Sequence, residues 1–176
     1  MFKKISLVVL ACMMLLSFCI TSYAASVPAV IYDSTAQSKS EFLVTITRPE
    51  GDESTFKKSY VICGNTEVKD IRVEIAIQNK DGKYIPFPNT DGEAGWDVGE
   101  SGIFMKEVQL PDLGANKVRI AAYKKSEVSS LELDKNLQIN DYTITVLKES
   151  VKETIKNGIV SVTDLVKEFF KPSTNK

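Results

Sequence analysis

The sequence predicts a mainly β protein, a single β-sandwich with short C-terminal helices. Three observations predict it. Apolar and polar residues alternate in short runs between Phe42 and Val146, the period of strands with one face on a core. Turn-forming residues separate these runs, so that about seven short strands fit into the span 42–147, the spacing of a two-sheet sandwich. At Lys148 the period changes to the three-to-four spacing of helices.

The elements follow in order. Residues 1–24 have the build of a secretory signal peptide. Lys3 and Lys4 supply the basic start, Ile5–Ile20 the apolar run, and Ser22-Tyr23-Ala24 the small-x-small end. The apolar run is short for a membrane span. Leu16-Ser17-Phe18-Cys19 resembles a lipobox, but Phe18 stands where a small residue is the norm. Cleavage after Ala24 and free secretion are therefore expected over lipidation at Cys19. Residues 25–41 are polar and turn-rich with no sustained period and read as a flexible leader.

The strands begin at Phe42, where Phe42, Val44 and Ile46 alternate with Leu43, Thr45 and Thr47 until Pro49. The strongest strand is Ile71–Gln78: Ile71, Val73, Ile75 and Ile77 form a β-branched apolar face, with Glu74 on the opposite, wetter one. Asn79-Lys80-Asp81-Gly82 supplies a hairpin turn into Lys83–Phe87, an edge strand by virtue of Pro86. Ile103–Leu110, Val118–Tyr123 and Tyr142–Val146 complete the strands. In the tail, 148–176, Val151, Ile155 and Ile159 form a helical stripe. Ser161 and Asp164 resemble a capping box, opening a second helix that carries Phe169 and Phe170. Docking of this tail on the sandwich is expected. A partner surface at Phe169 and Phe170, or contact with a membrane, is the alternative.

Composition narrows the chemistry. With 22 Lys and Arg against 23 Asp and Glu, the chain has no positive surplus for nucleic acid. Removal of the signal also removes Cys12 and Cys19, so that Cys63 stands alone and no internal disulfide is available. The apolar run Tyr60-Val61-Ile62-Cys63 points to a buried structural thiol. The sequence has no histidine, which removes the usual general base and the commonest transition-metal ligand. Gly99-Glu100-Ser101-Gly102 therefore reads as a turn and not as a serine nucleophile. Ser59, beside Lys57 and Lys58, begins a strand and makes no convincing Ser-Lys site. No catalytic residue, metal site or cofactor is assigned.

What remains is one loop. Asp91, Glu93, Asp97 and Glu100 alternate with glycines, a set of hard oxygen donors whose spacing fits no EF-hand, and a solvated loop is the simpler reading. Trp96, the sole tryptophan, lies within it. An exposed Trp96 would stack on a sugar or anchor a protein, with Asp91, Glu93 and Asp97 beside it; a buried one would plug an end of the sandwich, where tryptophans more often lie.

Gly102-Ile103-Phe104, Val108-Gln109-Leu110 and Gly114-Ala115-Asn116-Lys117-Val118-Arg119-Ile120-Ala121-Ala122 resemble bacterial immunoglobulin-like modules. The likeness is to the non-catalytic domain of extracellular polysaccharide-degrading enzymes of the glucodextranase type. Arg48-Pro49 and Cys63-Gly64-Asn65-Thr66 fit the opening strands of such modules, and the resemblance covers roughly residues 42–147. It implies an immunoglobulin-like sandwich and a binding, spacer or adhesion role, and it brings no catalytic residue. The helical tail departs from these modules. The expected function is that of a secreted, non-enzymatic interaction module of the bacterial cell envelope or exterior. Its partner would be an extracellular protein or a cell-wall glycan. The alternative is a surface-retained structural or assembly protein that oligomerises through its C-terminal helices.

Overall fold

The computed structural model describes residues 28–156, and in it the chain is mainly β with two sheets. The strands are β1 (Thr45–Arg48), β2 (Glu53–Thr55), β3 (Ser59–Asn65), β4 (Ile71–Gln78), β5 (Tyr84–Pro86), β6 (Gly95–Asp97), β7 (Ile103–Gln109), β8 (Gly114–Lys124) and β9 (Leu137–Val146). A four-residue helix α1 (Val30–Asp33) precedes them, a 3-10 segment (Lys125–Ser130) follows β8, and α2 (Glu149–Lys156) follows β9. The smaller sheet has the order β1-β3-β7. The larger has β2-β9-β8-β4-β5, and β6 also pairs with β4. All pairs are antiparallel except β2 with β9, which is parallel. The signal segment 1–24, with Cys12 and Cys19, lies outside the described residues. So does the second tail helix, with Phe169 and Phe170.

The main core lies between the sheets. Ile71, Val73, Ile75 and Ile77 face it as their alternation predicts. They meet Val118, Ile120 and Ala122 of β8, Ile144 and Val146 of β9, and Tyr60, Ile62, Phe104 and Val108 of the smaller sheet. Asn79 closes the β4–β5 hairpin: its Oδ1 accepts the amides of Asp81 (3.0 Å) and Lys83 (2.9 Å), and Gly82 takes a φ of 79°. The 111–116 turn is held in the same manner by Asn116, whose Nδ2 donates to the carbonyls of Asp112 and Gly114.

Four expectations need correction. Residues 28–41 do not behave as a leader, because Ile31 is fully buried in a second, smaller core on the outer face of the larger sheet, with Ala121, Tyr123, Leu137 and Ile139. This segment is fastened by charge and hydrogen bonds as well. Arg119 Nη1 donates to the carbonyls of Ile31 (3.0 Å) and Ser34 (2.7 Å), while Gln138 Oε1 accepts the amides of Phe42, Leu43 and Val44 at 2.8–3.1 Å. Second, Glu74 is not on a wet face. The outer side of β4 is covered, and Glu74 and Ala76 are each 1% exposed. Third, Cys63 is only half-buried, since the core-facing residues of β3 are Tyr60 and Ile62. Fourth, Phe42 is exposed and Leu43 is buried, because regular pairing starts only at Thr45.

The described part of the tail begins as expected. Val151 and Lys152 are half-buried, and Lys152 Nζ lies 5.9 Å from the centroid of the Phe56 ring. Among the described residues no helix is long and apolar enough to cross a membrane.

Candidate functional site

The loop singled out in the sequence is divided by the fold. Trp96 sits in β6 opposite Val73, on the core side of β4, and is 7% exposed. Its ring packs on Phe104 at 6.0 Å between centroids, and Lys106 Nζ lies 5.7 Å from it. Trp96 thus plugs the sandwich, which removes it as an exposed stacking platform. Asp91 pairs with Lys106 at 3.4 Å. Glu93 is exposed, its amide bound to Asn89 Oδ1 at 3.0 Å. Asp97 points the other way, to Arg72 and Lys125. Asp91 and Asp97 therefore serve separate cations of the chain, and among the described residues no three metal-ligating side chains gather. Asn89-Thr90-Asp91-Gly92 repeats the turn chemistry of Asn79-Lys80-Asp81-Gly82, since Asn89 Oδ1 accepts the amides of Asp91 and Glu93 as Asn79 Oδ1 does those of Asp81 and Lys83. That Asn-x-Asp-Gly spacing marks the loop as a second tight turn.

Ser59 and its lysines are also accounted for. The Ser59 hydroxyl donates to Glu107, and Lys58 Nζ donates to the Pro111 carbonyl at 2.7 Å. The serine thus faces a carboxylate, and Lys58 is turned away from it to the Pro111 carbonyl.

The polar residues that the fold does bring together lie on the outer face of the larger sheet. Arg72 Nε donates to Glu74 Oε1 at 2.7 Å, and its Nη1 donates to Asp97 Oδ1 at 3.1 Å. Lys125 Nζ donates to Asp97 Oδ2 at 2.8 Å. Burial pushes the Glu74 carboxyl above its usual range, with Arg72 opposing the rise. Lys125 first, and then Arg72, hold Asp97 below its own. Across the register from Arg72, the phenol of Tyr123 is pushed up to about 12, by burial first and then by the charge of Glu74. A second pair lies further along β8. Arg119, 1% exposed, forks onto the opposite residue Asp141 at 2.7 and 2.8 Å, and its guanidinium stacks 3.8 Å from the centre of the Tyr84 ring. This second cluster fastens α1, so its role is structural.

The outer face of the smaller sheet is different in kind. Cys63 pairs with Met105 and Asn65 with Ile103. Ile103 and Met105 are 64% and 66% exposed, with Val61 and Cys63 half-buried beside them. The alternation of β7, which turns Phe104 and Val108 inward, necessarily turns Ile103 and Met105 outward. Among the described residues nothing covers Ile103 and Met105, and exposed apolar neighbours of this kind are a feature of contact surfaces.

No protein-family model and no curated protein matches this chain.

Proposed function

We propose that the chain is an exported, non-catalytic interaction module of immunoglobulin-like build. The strand order supports the fold part of this reading. In immunoglobulin-like sandwiches strands A, B and E share one sheet and C, F and G the other. Here β1, β3 and β7 correspond to the first set and β4, β8 and β9 to the second. The bridge between Asn89 and Val108, at the free edge of β7, stands where a strand D would pair.

The observation that carries the binding role is the apolar patch on the outer face of the smaller sheet, left uncovered among the described residues, with Ile103 and Met105 its most exposed members. A single exposed apolar residue is ordinary, but four neighbours on one face, at the same strand phase, make a patch that water solvates poorly. The partner is an extracellular protein or a wall glycan. The experiment is cosedimentation of the purified mature chain with envelope and wall material from its own source. The parent should sediment with one fraction, and an Ile103→Ser/Met105→Ser variant of unchanged denaturation midpoint should not. Equal retention of parent and variant would remove this face from the proposal.

A further inference from the structure

Glu74 holds an unsatisfied atom. Its side chain lies over β6 at Gly95, the residue opposite it in register. A Cβ at position 95 would come within 2.0 Å of Glu74 Oε2, so glycine there is what makes the seat. Oε1 accepts from Arg72 at 2.7 Å, with the Tyr123 hydroxyl at 3.5 Å. Oε2 is buried and has no donor among the described residues, and neither does the buried hydroxyl of Tyr32 have a partner. Glu74 and Tyr32 line one groove of about 540 Å³, together with Arg72, Pro86, Glu93 and Asp97.

An unpaired buried carboxylate oxygen is costly, and sites that keep one usually meet it with a donor. The groove defines what kind of donor. Both orphan atoms can accept. Three carboxylates line the groove; the guanidinium of Arg72 serves Glu74 and Asp97, Lys125 also pairs with Asp97, and Glu93 has no cation among the described residues. A group with several N–H donors and a positive charge matches this set, and a carboxylate or phosphate does not. We propose that the groove binds a primary ammonium group, with Glu74 Oε2 and the Tyr32 hydroxyl as its acceptors and Glu93 at the rim as its counter-charge. A lysine side chain and an amino sugar both present that group. The site lies on the opposite sheet from the apolar patch and stands independently of it.

The test is calorimetric titration of the full chain with n-butylammonium chloride, with n-butanol as the uncharged control. Saturable binding of the ammonium alone is expected. It should weaken by about tenfold or more in Glu74→Gln, as for the loss of one partner of a buried charge pair. In Tyr32→Phe it should weaken by about fivefold, one neutral hydrogen bond. The Tyr32→Phe variant keeps the test decisive should Glu74→Gln fold poorly. Competition by Nα-acetyl-lysine amide or by glucosamine then assigns the natural source, with the N-acetylated forms of both as blanks. No saturable binding, equal binding of butanol, or parent-like affinity in folded variants would overturn the proposal and leave a water-bridged structural carboxylate.

Discussion

Glu74 and Cys63 show how one misplaced face changes a residue's chemistry. Burial holds the Glu74 carboxyl above its ordinary range, so between the ordinary and raised values the folded chain keeps a proton that the unfolded chain has released. Stability contributed at this site is therefore present at low pH and falls as pH rises through that window. Asp97, held low by Lys125 and Arg72, works in the opposite sense, its contribution being lost as pH falls. Subtracting the stability curve of Glu74→Gln from that of the parent, by urea denaturation from pH 3 to 8, should isolate a limb that declines with rising pH. A flat difference would mean that Glu74 titrates as an exposed carboxyl. Cys63 carries a second prediction. Because its side chain is half-buried on the outer face of β3, Cys63→Ser should cost no more than about 0.5 kcal/mol, as at ordinary surface sites. A loss of several kcal/mol in the denaturation midpoint would return the thiol to the core. The alternation of Tyr60 and Ile62 against Val61 and Cys63 was not legible in the sequence, because all four residues are apolar. The burial of Glu74 was not visible, because the residues that cover it come from distant segments.

Strand phase was legible wherever an element ran alone. Ile71–Gln78, its Asp-Gly hairpin and the edge position of Tyr84–Pro86 all follow from local pattern and turn chemistry. What local pattern does not carry is the second layer on the larger sheet. Leu137 and Ile139 stand out of phase with Tyr142, Ile144 and Val146, so their apolar side faces outward, to Ile31 about a hundred residues earlier. The polar composition around Val30-Ile31-Tyr32 hides this pairing. Arg119 is the pin that secures it. An Arg119→Met substitution leaves Asp141 without its fork and frees the carbonyls of Ile31 and Ser34, and should destabilise by about 3–5 kcal/mol. Adding Asp141→Leu should restore part of the loss, since an unpaired carboxylate costs more than an apolar pair. Additive losses in the double variant, measured by denaturation, would mean that the two side chains act separately.

The two cores share one sheet, and β4 with β8 and β9 stands between them. Ile75, on the inner face, should cost about 2–5 kcal/mol when cut to Ala, as for a fully buried large aliphatic residue. A loss below about 1 kcal/mol would show that the inter-sheet space collapses around the gap. The last strand has a further consequence, and it concerns time. β9 holds β2 in parallel, supplies Leu137 and Ile139 to the outer core, and carries Gln138, which binds residues 42–44. The outer core over Ile31 and the anchorage of residues 42–44 are therefore complete only once β9 has been made. Closure depends on contacts far apart in the chain, which form slowly. A nascent chain that has reached only Lys124 has Arg119 to hold Ile31 and Ser34 but lacks Leu137 and Ile139 for the outer core, Gln138 for residues 42–44 and Asp141 for the fork. For a chain that leaves the cell as proposed, this wiring delays closure of the sandwich until β9 has been made.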